Sequence, residues 1–313
     1  MIRTVDLGKQ YGDFWAVRDL NLNVREGEIY GFVGPNGAGK TTTILMTLAI
    51  LQPSRGGVYL FDDQIRASRA DVRRKIGVVS EKQFLYPQMT MWEYLDFFGE
   101  LYQVENRGER IAELATRVEL DDVLDRRLGA FSRGMQQKVG FVRALLHDPD
   151  LLILDEPVSG LDPMGIRQVR DLVEEENRKG KTVFISSHLL SEVEKLCHRV
   201  GIMNNGRLLA EDRMDSLVRR LTEEVELDLE FSKEEPQAAE AVRGFDFVRG
   251  IFMEGKFLTV KMKADQDYRR DVVEALISRG HVPVGTRLRS MSLEEAFITI
   301  TKENISLLTK ADA

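Results

Sequence analysis

Apolar and polar positions change their period several times along the chain, and each change predicts an element. Leu20, Leu22 and Val24 alternate with polar residues, the mark of a half-buried strand. After Glu26-Gly27 the run Ile29–Val33 is apolar almost throughout, as in a strand covered on both faces. A glycine-rich loop and a helical stretch over Thr41–Ile50 come next, and Val58–Phe61 and Ile76–Val79 read as further strands. From about Thr90 to Leu128 the period becomes helical. Trp92, Leu95, Phe98 and Leu101 form one stripe, and Ile111, Leu114, Ala115 and Val118 form another. Leu151–Leu154 and Thr182–Ser186 return to buried strands, with a polar helix over Ile166–Lys179 between them. Strand, helix and strand in that order imply a parallel sheet with right-handed crossovers. Asn205-Gly206, between Val200–Met203 and Leu208–Ala210, marks a tight hairpin.

A charged amphipathic segment over Met214–Glu224 predicts a domain boundary. Beyond it Val225, Leu227, Leu229 and Phe231 alternate strictly with acidic residues, a strong strand pattern. Pro236–Val242 reads as a helix, Phe257–Val260 as a strand after the Glu254-Gly255 turn, and Asp271–Arg279 as a helix with a stripe of Val272, Val273, Leu276 and Ile277. A small β-α-β-β-α-β domain accommodates these elements. The expected division is residues 1–215, with a helical subdomain over about 88–140, followed by an α+β domain over 222–313.

Composition narrows the class without choosing a function. At roughly 150 residues per domain, 313 residues make about two domains. With 43% hydrophobic and 30% charged residues the chain can bury a core, which argues against disorder. A formal charge of −7 argues against a protein whose main partner is a nucleic-acid backbone, and none is expected. The single cysteine, Cys197, excludes an internal disulfide and suits a reducing compartment; its neighbours Leu196 and Val200 predict a buried thiol. No segment approaches the ~18–20 apolar residues of a membrane span, Thr42–Leu51 being the longest candidate. Met1–Asp6 lacks the pattern of a signal peptide. A cytoplasmic location is therefore expected.

The chemistry lies in three motifs. Gly34-Pro35-Asn36-Gly37-Ala38-Gly39-Lys40-Thr41 fits G-x-x-x-x-G-K-[ST], and Thr42 follows within the same helical turn. Such glycines let backbone N–H groups curl around phosphate oxygens, and the helix that follows adds the partial positive charge of its N-terminus. Lys40 is expected to reach the β- and γ-phosphates and Thr41 to bind Mg²⁺. Leu151–Leu154 then delivers Asp155 and Glu156 at the carboxyl end of a strand, where α/β sheets place their ligands. Asp155 is the expected Mg²⁺ partner, and Glu156 the base that positions and deprotonates water. Together they define a P-loop ATPase or GTPase. Phe131–Lys138 opens a helix with the stripe Met135, Val139, Val142 and Leu146, N-capped by Ser132. That helix start is a second anion site, with no phosphate of its own to bind within one chain.

Here the sequence resembles the ATP-binding subunits of ABC transporters over about residues 2–215. Phe131–Met135 stands where that family has its Leu-Ser-Gly-Gly-Gln signature. Tyr11 matches the aromatic that stacks on adenine, Ser159-Gly160-Leu161-Asp162 the D-loop, and His188 the switch histidine. The resemblance implies a two-lobed ATPase that binds ATP and Mg²⁺ and dimerises head to tail with a second copy or a paralogue. Each composite site would join one chain's phosphate loop to the other's Ser132 and Gly134. It also implies integral membrane permease subunits as partners, with the ATPase held at the inner face of the membrane.

Two departures are visible. Arg133 and Met135 replace a glycine and the glutamine of the signature, and Glu81 stands where the family's Q-loop has a glutamine that faces Mg²⁺. Both resemble variants in ATPase subunits of ABC-2-type exporters, as does an extension ending near Ser292–Phe297. A soluble ABC ATPase acting on ribosomes or DNA is the main rival, but a second phosphate loop and a sustained heptad stretch are both missing. A small-molecule kinase would share the phosphate loop but has no use for the signature. Trp92, Tyr94, Phe97 and Phe98 read either as core of the helical lobe or as a groove for a membrane subunit. Trp15, His147, His198 and His281 read as packing or surface residues.

Overall fold

A computed structural model of the chain describes residues 1–65, 70–214, 216–217, 224–289 and 292–303. They divide into two compact units, one built on Met1–Asp212 and one on Arg213–Glu303. The first runs β1 (Ile2–Tyr11), β2 (Phe14–Leu20), β3 (Asn23–Val24), β4 (Ile29–Val33), α1 (Lys40–Thr47), β5 (Arg55–Leu60) and β6 (Asp63–Gln64). It continues through α2 (Ala70–Arg73), β7 (Ile76–Val79), α3 (Met91–Leu101), α4 (Arg107–Arg117), α5 (Arg133–Leu145), β8 (Leu151–Asp155) and α6 (Pro163–Arg178). Then come β9 (Thr182–Ser187), α7 (Leu190–Leu196), β10 (Arg199–Asn204) and β11 (Arg207–Arg213).

The central sheet has the order β11-β10-β4-β9-β8-β7, and β10, β4, β9, β8 and β7 run parallel. Every residue of β4, β8 and β9 is buried, the apolar ones as strands covered on both faces require and with Asp155, Thr182, Ser186 and Ser187 buried among them. A second, antiparallel sheet orders β2-β1-β5-β6, with β3 also on β1. One core joins the two sheets: Ile2, Leu7, Val17 and Leu60 meet Tyr30, Phe32 and Ile153, with Ile44 and Met46 of α1 among them. On the other side α7 packs on β4 at Gly31, where a Cβ would stand 2.6 Å from Val193 Cγ1 and 3.0 Å from Cys197 Sγ. Cys197 is buried there, and burial pushes its thiol pKa up. The hairpin turn is as expected, with φ of 48° at Asn205 and 76° at Gly206.

Two expectations about apolar stripes need correction. The strand over Leu20–Val24 is broken. Asp19 takes a φ of 52°, and Thr4 Oγ1 then donates to Leu20 O and accepts from Leu22 N, both at 2.8 Å. A side chain thus replaces the ladder until β3 resumes. In α3 the buried residues are Met91, Tyr94, Leu95 and Gly99, whereas Trp92 and Leu101 are exposed. A strict i+3 repeat turns about 60° further round a helix at each step. Over three steps it reaches the opposite face.

The helices α3, α4 and α5 pack together, and α4 is tied to α6 by an ion pair. Arg117 reaches Glu176 Oε1 at 2.6 Å, with Lys179 at 2.9 Å from the same oxygen and Glu176 only 1% exposed. Removing the charge from so buried a partner is costly. Glu176→Gln is expected to lower stability by about 3 kcal/mol, read as a fall in Tm with the two sheets' far-UV signal retained.

The second unit contains β12 (Glu224–Glu230), α8 (Ala238–Val242), β13 (Val248–Glu254), β14 (Phe257–Lys263), α9 (Arg269–Ser278), β15 (Gly285–Arg289) and α10 (Leu293–Glu303). Its sheet order β13-β14-β12-β15, antiparallel throughout, is the split β-α-β-β-α-β arrangement. Leu227, Leu229, Leu258 and Val260 form its core with Val242, Val272 and Leu276. Ile277, expected on the buried stripe of α9, is exposed, because the stripe follows the i,i+4 pair Val272 and Leu276. Among the described residues no helix is long and apolar enough to cross a membrane.

Candidate functional site

Register in the central sheet brings three loops to one edge. Val33 pairs with Ser187 and Asp155 with Ser186, so Gly34, Glu156 and His188 all emerge at the carboxyl ends of neighbouring strands. The loop after β4 is tightly built. A Cβ on Gly34 would lie 2.3 Å from Met203 O, and one on Gly39 (φ 106°) would lie 2.4 Å from Ala16 O. Pro35, Asn36 and Gly37 form the exposed rim, Ala38 is buried, and Gly39 caps α1 with its N-terminal N–H groups toward the loop.

Lys40 is buried at the first position of α1. Its Nζ donates to Gly34 O at 2.7 Å and Pro35 O at 3.4 Å, and lies 3.6 Å from Glu156 Oε1. A phosphate would offer that ammonium stronger, charge-assisted bonds than two carbonyls. Thr41 is exposed, and its Oγ1 donates to Asp155 Oδ2 at 3.1 Å, while Ser186 Oγ donates to Oδ1 of the same carboxylate. Thr42 follows, half-buried. A hydroxyl and a hydrogen-bonded carboxylate at a phosphate loop suit Mg²⁺, which takes few protein ligands and fills its shell from phosphate and water. Among the described residues no group of three or more His, Cys, Asp or Glu could hold a metal ion.

Glu156 is 7% exposed and takes a φ of 49°, a strained conformation for a residue with a side chain. Its N–H donates to Ser186 O at 3.1 Å and to Ser186 Oγ at 3.2 Å. Its Oε2 contacts His188 Nδ1 at 2.7 Å and accepts from the His188 N–H at 3.3 Å. The carboxylate is therefore held between an ammonium and an imidazole, with His188 itself half-exposed. Such a constellation orients one carboxylate and leaves it able to take a proton.

The remaining candidates lie outside this contact network. Ser132 caps α5, accepting from Met135 N at 3.2 Å, a bond worth about 1 kcal/mol, and is exposed with the helix N-terminus. Gly134 faces Leu161, and Arg133 reaches Ser159 Oγ at 3.3 Å. Asp162 caps α6 through Gly165 N at 2.7 Å. Tyr11 is exposed at the β1–β2 hairpin beneath Lys9, and Glu81 is exposed beyond β7. No described hydrogen bond or ion pair joins Ser132, Gly134 or Glu81 to Lys40, Thr41 or Asp155. Trp15 lies against Gly8, and His147 and His198 bond Ile76 O and Ile29 N. Three residues not singled out by the sequence, Gln83, Gln137 and Arg143, form a hydrogen-bonded chain beneath the site, with Gln137 buried and the other two half-buried. Gln137 and Arg143 lie on α5 and Gln83 in the loop after β7, and in the sequence each is marked only by its polarity.

The sequence model of the family described as ABC transporter matches residues 17–159. The bacitracin transport ATP-binding protein BcrA of Bacillus licheniformis is 41% identical over 230 residues, covering 73% of this chain and 75% of that protein. The uncharacterised ABC transporter ATP-binding protein YcbN of Bacillus subtilis is 33% identical and covers 97% of this chain and 98% of its own length. Among solved structures, a dimeric post-hydrolysis ATP-binding cassette bound to ADP and Pi superposes with a TM-score of 0.63. It is 25% identical and covers 68% of this chain and 99% of that one.

Proposed function

The chain belongs to the ABC transporter ATP-binding subunits, which bind and hydrolyse ATP, and from that premise we propose that it is the motor of an exporter. In this reading ATP closes two subunits head to tail, hydrolysis releases them, and a separate membrane permease follows the cycle. The observation that carries it is the junction of Lys40, Asp155, Glu156 and His188 at one sheet edge. Phosphoryl transfer to water needs mainly positioning and charge neutralisation, and this edge supplies both.

In this reading the residues divide the work as follows, the contacts of Lys40, Thr41, Asp155, Glu156 and His188 supporting their part. Lys40 and the N–H groups of Gly34 and Asn36–Thr42 hold the phosphates, with Pro35 shaping the loop, and Tyr11 stacks on adenine. Thr41 and Asp155, with Glu81 from the loop after β7, would hold Mg²⁺, which neutralises charge on the phosphates when bound. Glu156 accepts the proton of the attacking water, and His188 orients Glu156 Oε2. Ser132 and Gly134 serve the partner subunit's nucleotide, with Asp162 beside them, since both sit at a helix N-terminus, Ser132 exposed and Gly134 half-buried. The dimeric state of the solved cassette supports that pairing. Residues 1–215 carry this machinery and 222–313 form an accessory domain.

Membrane attachment rests on chemistry of another kind. Phe84, Tyr86, Trp92, Phe97 and Leu101 are all exposed along the segment 84–101, which offers apolar side chains to a partner. A permease loop packing there would hold the subunit at the inner membrane face. The name of BcrA makes bacitracin-like export a natural first cargo class to assay.

Two measurements test the reading. Sedimentation velocity with ATP and EDTA is expected to show a dimer that Ser132→Arg abolishes; a monomer under all conditions would reject the composite site. A tagged subunit is expected to retain a multi-span membrane protein through detergent purification, and recovery with ribosomes or DNA instead would reject the transporter. For the histidine, His188→Ala is expected to cut kcat about ten- to hundred-fold at unchanged ATP affinity, because the carboxylate loses its orienting partner. Steady-state phosphate release checks it.

A further inference from the structure

Beneath the site, α5 is fastened to the segment that follows Glu156. Gln137 is 4% exposed, and its Nε2 donates to Pro157 O at 3.0 Å. Its Oε1 accepts from Gln83 Nε2 at 3.3 Å, and the same Gln83 amide donates to Ser80 O at 2.6 Å. Gln83 Oε1 in turn accepts from Arg143 Nη2 at 3.4 Å, and Arg143 also donates to Tyr94 Oη at 2.9 Å and Val78 O at 3.3 Å. Each amide in this chain has its orientation set by the next. The path is packed to fit: a Cβ on Gly140 would stand 2.4 Å from Gln83 Oε1, so α5 carries a glycine where Gln83 crosses it.

We propose that Gln137 is a positioning residue for Glu156, an inference that rests on the reading of Glu156 as the base. Glu156 sits at a positive φ immediately before a proline, a combination the backbone does not favour unaided. On its amino side it is held by Ser186. On its carboxyl side Pro157 has no N–H to offer, so its carbonyl is the one backbone handle at that residue, and Gln137 occupies it. A second grip lies further along, where the Arg133 guanidinium packs on Gly160 and bonds Ser159. The helix whose N-terminus faces a partner's nucleotide therefore also fixes the carboxylate of its own chain. A base displaced by about an ångström loses on the order of a hundredfold in rate.

The test uses the full-length protein with Gln137→Met, which keeps the volume and removes both hydrogen bonds, and Gln137→Glu, which sets an acceptor against Pro157 O. Both are expected to lower kcat ten- to hundred-fold, with ATP Kd within about twofold and Tm within a few degrees of wild type. A kcat within twofold of wild type in both would overturn the proposal. So would losses of ATP affinity and Tm in step with kcat, which mark a structural role. Because Gln137 acts through Glu156, Glu156→Gln with Gln137→Met is expected to be no slower than Glu156→Gln alone. Multiplying losses would overturn it. A slow Glu156→Gln protein beside a normal Gln137→Met protein rejects Gln137 alone, whereas an unimpaired Glu156→Gln protein removes the base and the proposal together.

Discussion

Turnover of the Glu156→Gln protein is expected to fall by two to four orders of magnitude, roughly the contribution of a positioned general base, while ATP binding persists. The substitution is isosteric, so the amide still fills the space between Lys40 and His188. It removes the group that accepts the proton and the negative charge 3.6 Å from the Lys40 ammonium. The second loss acts on binding with the opposite sign. In the wild type Lys40 is shared between two carbonyls and this carboxylate, and ATP must compete for it. Without the carboxylate that competition weakens, so ATP affinity is expected to hold or rise and the closed dimer to accumulate. Phosphate release and equilibrium nucleotide binding measure the two effects separately. A turnover within twofold of wild type would remove Glu156 from the base role.

Lys40→Ala is the complementary case, in which binding itself is lost. Hydrogen bonds to a charged group contribute about 1.5–3 kcal/mol each. Two phosphate contacts therefore imply an affinity loss of roughly two to four orders of magnitude, with turnover at subsaturating ATP falling as far. The variant also leaves the buried Glu156 carboxylate without its cation and the Gly34 carbonyl without its donor. A moderate fall in Tm is thus expected alongside. Titration with a fluorescent ATP analogue decides the matter: a Kd within threefold of wild type would show that Lys40 serves the fold and not the phosphates.

The phosphate loop, the acidic pair at the end of β8 and the serine cap of α5 were legible in the sequence because each depends on local spacing. A tight turn needs its glycines, a buried strand needs consecutive aliphatics, and a helix start needs a side-chain acceptor. The parallel sheet was legible for a similar reason, since strand, helix and strand leave one handedness open. What escaped depends on contacts between distant segments. Nothing near Thr4 announces that its hydroxyl interrupts a ladder 16 residues away. The direction of α3 escaped because an i+3 repeat in a short helix fits two faces, and packing on α4 and α5 chose Tyr94 and Leu95. Gln137 escaped because an amide on a helix ordinarily faces solvent, and only the fold supplies Pro157 and Gln83 as its partners.

The lone thiol under α7 has an experimental consequence. Cys197 is buried against Gly31 of β4, and burial both shields the thiol and pushes its pKa up, so maleimides and disulfide reagents have little to attack. The natural chain is in effect a cysteine-free background. Single cysteines placed on exposed Met164 or Glu174 of α6 become unique attachment points for spin labels or fluorophores, with no need to mutate the native residue. Distances between such labels, measured with and without ATP, then become a ruler for the proposed pairing of two subunits.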